Sequence, residues 1–227
     1  MSKHLQREID VLKRKILALG ASVEEAVRDA VYALENRDVA MAKRVIDNDV
    51  NIDQSEVDVE EECLKILALH QPVAIDLRFI IATLKINSDL ERIGDLGVNI
   101  AERALFFAGV EGKLIPLNFI DMAKKAQVML KSSLDSLVNL DANLAKQVLL
   151  QDDAVDEENR RTYMQVQDGI RAKPENMEAL IHLLSSSRHI ERIADHATNI
   201  AEDVIYMIEG DIVRHRTEEY KPLTKNS

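Results

Sequence analysis

The stretches ERIGDLGVNIAE, Glu91 to Glu102, and ERIADHATNIAE, Glu191 to Glu202, lie 100 positions apart and agree at eight of twelve places. Each residue of an α-helix advances the azimuth by about 100°, so Asp95, Asn99 and Glu102 fall roughly 40°, 80° and 20° round from Glu91. Asp195, Asn199 and Glu202 repeat this around Glu191. Ile93, Ile100, Ile193 and Ile200 take the opposite side, as a packed helix requires. A face of like charges at i,i+4 is locally unfavourable by about 0.2–0.5 kcal/mol per pair. Solvent offsets this if the face is open; a bound cation offsets it if the carboxylates converge in a groove.

Around this pair the chain reads as all-α. Only seven glycines and four prolines interrupt 227 residues, tryptophan is absent, and 46% of the chain is hydrophobic. That composition suits helices with short turns and a substantial core. Apolar residues Ile9, Leu12, Ile16, Leu19, Val23, Val27 and Leu34 recur at helical steps, predicting one helix from Leu5 to about Glu35 with Gly20 as a local bend. Asp38 is placed to cap a second helix, Val39 to about Leu69. Pro72 suits the first turn of a third, ending near Phe107.

Ala108 to Asn118, with two glycines and a proline, reads as a linker, after which the same order returns. Helices are expected from about Phe119 to Leu140, from Asn143 to about Ile170, and from about Pro174 to Glu209. Asn36 to Asp53 aligns with Asn139 to Asp156 at an offset of 103, which drifts to 100 at the acidic motifs. The expectation is an internal duplication: two tandem antiparallel three-helix bundles, 1–110 and 117–210, with a fraying tail over 211–227.

Laying the halves on one another exposes a second acidic pair, Asp49 with Asp53 and its copy Asp152 with Asp156. If the last two helices of each half are neighbours, about four carboxylates and an asparagine carbonyl meet. Hard oxygen donors of that kind suit Mg²⁺, Ca²⁺, Mn²⁺ or Fe; a solvated helix face is the alternative. A ferritin-like oxidase or metal store is the enzymatic alternative, but no histidine has glutamate three residues before it, as that chemistry requires. No phosphate-cradling glycine loop or nucleophile elbow is present either. Arg92 and Arg192 can pair with acids or bind an anion.

A net charge of −11 opposes a nucleic-acid surface. Cys63, the single cysteine, reads as core packing. No secretory signal or membrane-spanning run is evident, so a cytoplasmic protein is expected, any membrane association being peripheral and through partners.

The second motif with its continuation, ERIADHATNIAEDVIYMIEG, its copy ERIGDLGVNIAE, the upstream DNDVNID and the duplicated three-helix length together resemble the PhoU family over about Leu5 to Gly210. The resemblance implies a non-enzymatic, commonly homodimeric negative regulator of phosphate uptake and phosphate-starvation signalling. It implies action between a phosphate ABC transporter, through its ATPase subunit, and a sensor histidine kinase. The family's Glu/Asp-x-x-x-Asp metal motif, with multinuclear iron or zinc, carries over to Asp49 with Asp53, Glu91 with Asp95, Asp152 with Asp156, and Glu191 with Asp195. Asn99, Glu102, Asn199 and Glu202 extend the same faces. The cofactor expected is a divalent or trivalent cation, Fe, Zn, Mg or Mn. Gly94 and Gly97, against Ala194 and Ala197, are expected to loosen the first face relative to the second.

Overall fold

The computed structural model describes residues 3–110 and 117–210, and among them every regular element is helical. The first half holds α1 (Lys3–Asn36), α2 (Val39–His70) and α3 (Ala74–Ala108). The second holds α4 (Leu117–Asn139), α5 (Ala142–Leu149), α6 (Asp152–Ala172) and α7 (Met177–Glu209). The expected tail, 211–227, and residues 111–116 of the linker lie outside the described residues.

The duplication is visible in the corners between helices. Arg37 turns with φ 55° and Leu140 with φ 51°, each just before a capping aspartate. The amide of Asp38 donates to the Ala33 carbonyl at 3.0 Å, and that of Asp141 to Ser136 at 3.0 Å. The Asp38 side chain accepts from the amide of Met41, and Asp141 accepts from those of Asn143 and Leu144. Both caps satisfy amides that the first helical turn leaves without partners.

Two boundaries differ from expectation. The third helix starts at Ala74, not around Pro72, because the chain takes a left-handed φ at Gln71 (45°) and again at Ala74 (49°), the residue on which the helix opens. The middle rod of the second half is not continuous from Asn143 to Ile170; it breaks at Leu150 and Gln151 into α5 and α6. The amide of Gln151 closes α5 onto Val148 at 3.0 Å, and α6 opens with Asp152 and Asp153 in its first turn. Two carboxylates suit that position, where unpaired amides carry the positive end of the helix dipole.

Within the halves, α1 and α2 pack on α3, while α4, α5 and α6 pack on α7. The halves join chiefly through these two hub helices, which run antiparallel. Lys85 Nζ donates to Asp203 Oδ1 at 2.9 Å, His196 Nδ1 donates to Asp89 Oδ1 at 2.8 Å, and Phe106 stacks on His182 with centroids 3.7 Å apart. Positions therefore rise along α3 as they fall along α7. A second contact links α1 and α4. Gly20, expected as a bend, lies inside unbroken α1, where a Cβ would stand 2.8 Å from Leu134 Cδ2 on α4. Its missing side chain lets two helices approach. One apolar cluster runs through both halves and includes Leu12, Ile16, Ile93, Phe107, Met129 and Ile200.

Candidate functional site

In the first half, α2 and α3 bring Asp49, Asp53, Glu91 and Asp95 onto one shared face. Burial, then the charges of Asp53 and Asp95, raise the Asp49 carboxyl above the ordinary aspartate value. Glu91 is raised by burial, then by Asp95, Glu56 and Asp53. Glu56, raised by burial and by Glu60 and Asp53, thus belongs to the same face. Charges on two helices feel one another only when the side chains converge.

The second half repeats the arrangement on α6 and α7. Burial pushes Asp152 up to about 6, helped by Asp156, Asp195, Asp153 and Glu191. Glu191 is raised by burial, then Asp195 and Asp156; Asp195 by burial, then Asp156. All four expected pairs are brought together in register, two per half.

The repeat extends to single atoms. Asp49 Oδ1 and its copy Asp152 Oδ1 are both shielded from solvent and both lack a hydrogen-bond partner among the described residues. A buried unsatisfied carboxylate oxygen is costly, and the same atom is left so in both copies. As the side chains stand, no group of three His, Cys, Asp or Glu among the described residues is arranged to hold an ion. Coordination by these carboxylates would require their side chains to rotate on the helices.

The expected loosening by Gly94 is replaced by close packing. A Cβ there would stand 3.2 Å from Ile52 Cγ2 and 3.9 Å from Asp49 Oδ1. The corresponding pair in the second half is Ala194 with Val155, both fully buried. One carbon has moved across the interface: Ile with Gly against Val with Ala. The two positions carry the same number of side-chain carbons in each half, divided differently. At Gly97 a Cβ would be in ordinary contact with α1, nearest atom 3.8 Å, so that residue brings no comparable approach.

The four flanking residues behave differently. Asn99 Nδ2 donates to the Asp95 carbonyl at 2.8 Å, spending its amide on its own helix. Asn199 Nδ2 donates across the seam to Asp89 Oδ1 at 3.3 Å, joining the His196 bond. Glu102 is exposed and Glu202 half-buried, each one turn or more beyond the carboxylate pairs. His196 is buried in the seam between the halves.

Two further ties escape sequence reasoning. Asn87 Nδ2 donates to the Glu56 carbonyl at 3.0 Å and to Glu56 Oε1 at 2.9 Å, and Ser187 Oγ donates to Asn159 Oδ1 at 2.7 Å. They occupy equivalent places, one turn before Glu91 and Glu191, and fix the helix pair on which each acidic face sits. The signal in the sequence was a small polar residue four places before each leading glutamate. Cys63 is buried, and burial foremost pushes its thiol to about 12, consistent with packing.

The fold and these faces define a class: a duplicated helical-bundle protein carrying one carboxylate-lined helix pair in each repeat. The chain belongs to the PhoU family. The PhoU domain model matches twice, over residues 16–104 and 119–204, the two repeats derived above. The chain is 41% identical over 213 residues to the phosphate-specific transport system accessory protein PhoU homolog of Aquifex aeolicus, covering 93% of this chain and 96% of that one. It is 37% identical over 218 residues to the homolog of Pseudomonas aeruginosa, covering 95% and 89%. The crystal structure of PhoU from Pseudomonas aeruginosa superposes with a TM-score of 0.88 at 35% identity, covering 91% of this chain and 99% of that chain. That of the phosphate transport system regulatory protein PhoU from Streptococcus pneumoniae gives 0.82 at 30% identity, covering 92% and 99%. No described helix is long and apolar enough to cross a membrane.

Proposed function

We propose that this chain is a non-enzymatic accessory protein of a phosphate-specific transport system, restraining phosphate uptake and phosphate-starvation signalling. The names of its relatives, accessory and regulatory proteins, support the coarse reading. In the finer reading it works in the cytoplasm, as a homodimer, between the ATPase subunit of a phosphate ABC transporter and a sensor histidine kinase. Divalent or trivalent cations, Fe, Zn, Mg or Mn, bind its two acidic faces.

The observation that carries the cation reading is the matched pair of orphaned oxygens, Asp49 Oδ1 and Asp152 Oδ1, each facing carboxylates from a neighbouring helix. Asp49, Asp53, Glu91 and Asp95 would hold an ion in the first half, and Asp152, Asp156, Glu191 and Asp195 in the second. A bound cation would add positive charge to that of Arg92, Arg188 and Arg192 beside these faces and would tie α2 to α3 and α6 to α7. The helices themselves keep the carboxylates in register and set the outer surface offered to partners. Binding to the folded state alone raises stability in proportion to occupancy. The test is metal analysis of protein purified from cells, with melting temperature before and after chelation, for the wild type and for Asp49→Asn with Asp152→Asn. The expected result is a chelator-sensitive melting point that the double substitution abolishes. Co-purification of the transporter ATPase and the kinase in the same samples tests the partners; their absence with metal present would sink the adaptor reading alone.

A further inference from the structure

The seam between α3 and α7 contains its own control. The pseudo-symmetry that exchanges the halves maps Lys85 with Asp203 onto Ser185 with Arg103, and Asp89 with His196 onto His189 with Leu96. On the first side every charge is answered: Lys85 pairs with Asp203 at 2.9 Å and Asp89 accepts from His196 at 2.8 Å. On the other side neither of those two positions keeps its acid, although Glu191 lies near enough to feel Arg188 and Arg192. Arg103 stands where Asp203 stood and His189 where Asp89 stood, with Arg188 and Arg192 alongside.

None of these three arginines enters an ion pair with another described residue, although the chain carries 40 acidic side chains against 29 basic ones. Arg103 Nε and His189 Nδ1 are shielded from solvent and have no hydrogen-bond partner among the described residues. His189 Nε2 shares a 3.2 Å bond with Ser185 Oγ. All three guanidinium groups lie near enough to act on this imidazole: after burial, the charges of Arg103, Arg192 and Arg188 hold its proton affinity down. Ser185, Arg188, His189 and Arg192 line a groove of about 350 Å³ whose remaining walls are Ile181 and Leu184.

We infer that this groove on α7, with the Arg103 charge of α3 close to its His189, binds a small tetrahedral oxyanion, inorganic phosphate or the phosphoryl group of a phosphomonoester. Guanidinium forks supply paired N–H donors matched to phosphoryl oxygens. A hydroxyl and an imidazole beside them complete a donor-rich site. Arg188 also lines the neighbouring groove with Asp156 and Glu191, so an anion here would sit next to the second acidic face.

The test uses full-length protein treated with chelator, so that no anion binds through a metal. It is titrated by calorimetry at constant ionic strength with inorganic phosphate, a phosphomonoester, an acidic peptide and chloride, and the His189 ring resonances are followed. Saturable phosphate binding that shifts those resonances is expected. Arg103→Met, Arg188→Gln and Arg192→Gln should each weaken it about tenfold, the loss of one charge-assisted bond. Arg92→Gln, on the exposed first-half counterpart of Arg192, should not. Tighter binding of the phosphomonoester identifies a phosphorylated metabolite as the ligand; tighter binding of phosphate identifies the free ion. If Arg103→Met fails to fold, the exposed Arg188 and Arg192 variants carry the test. The inference falls if phosphate matches chloride, if Arg92→Gln weakens binding as much as the others, or if only the acidic peptide binds.

Discussion

Replacing Asp152 by asparagine should stabilise the metal-free protein at neutral pH, the opposite of what losing a native side chain usually does. Its carboxyl is held at about 6 against an ordinary 3.8, by burial and then by Asp156, Asp195, Asp153 and Glu191. That difference corresponds to about 3 kcal/mol against the charged form, and solvent reaching this partly exposed group reduces it to about 1–2 kcal/mol. The folded-state value lies above the unfolded one, so the penalty is complete above about pH 6. It fades as pH falls through 6 and is gone below 3.8. Asp152→Asn keeps the shape and removes the charge. In chelator at pH 7.5 it should raise the melting temperature by roughly 2–8 °C, and at pH 4.5 most of the gain should vanish. Added divalent cation should stabilise the wild type more than the variant. Calorimetric scans at both pH values, with and without chelator, check this; a variant less stable than wild type at pH 7.5 in chelator would refute the electrostatic account.

Other expectations follow from packing. Gly94→Ala alone should cost about 1 kcal/mol by crowding Ile52, and the added Ile52→Val should recover most of that by recreating the second half's Val155 with Ala194. Urea titration of the four proteins gives the coupling directly; additive losses would count against the exchanged-carbon explanation. Asp89→Ala strips His196 and Asn199 of their shared acceptor across the seam and should cost about 2–3 kcal/mol. Equilibrium unfolding with probes in each half reads this, and a change under 0.5 kcal/mol would mean the seam does not depend on that network.

Much of the architecture was readable because each half states it independently. The i,i+4 acids of Asp49 with Asp53 and Glu91 with Asp95 recur in the second copy, and helical spacing puts each pair on one side of its rod. The corners were readable through Asp38 and Asp141, whose capping chemistry is local. The break at Leu150 and Gln151 was not: QVLLQDDAV contains no glycine or proline, and the helix ends where tertiary packing outweighs continuity. Glu56 was missed because its copy is Asn159, so comparing the halves hid it. Asn199 follows the acidic spacing yet turns its amide to Asp89, since a partner on α3 lies within reach that no single-helix argument contains. Gly20 and Gly94 read as weak points, whereas each marks a place where a neighbouring helix comes close.

The single apolar cluster threading both hubs has a thermodynamic corollary. Two repeats strung on a linker would melt independently, each answering only to its own ligand. Here α3 and α7 share one interior, so the chain should come apart as one cooperative unit, and occupancy at either end would be felt in the melting of both. Whatever loads one copy thereby shores up the other, and a sensor with two ports would report their sum.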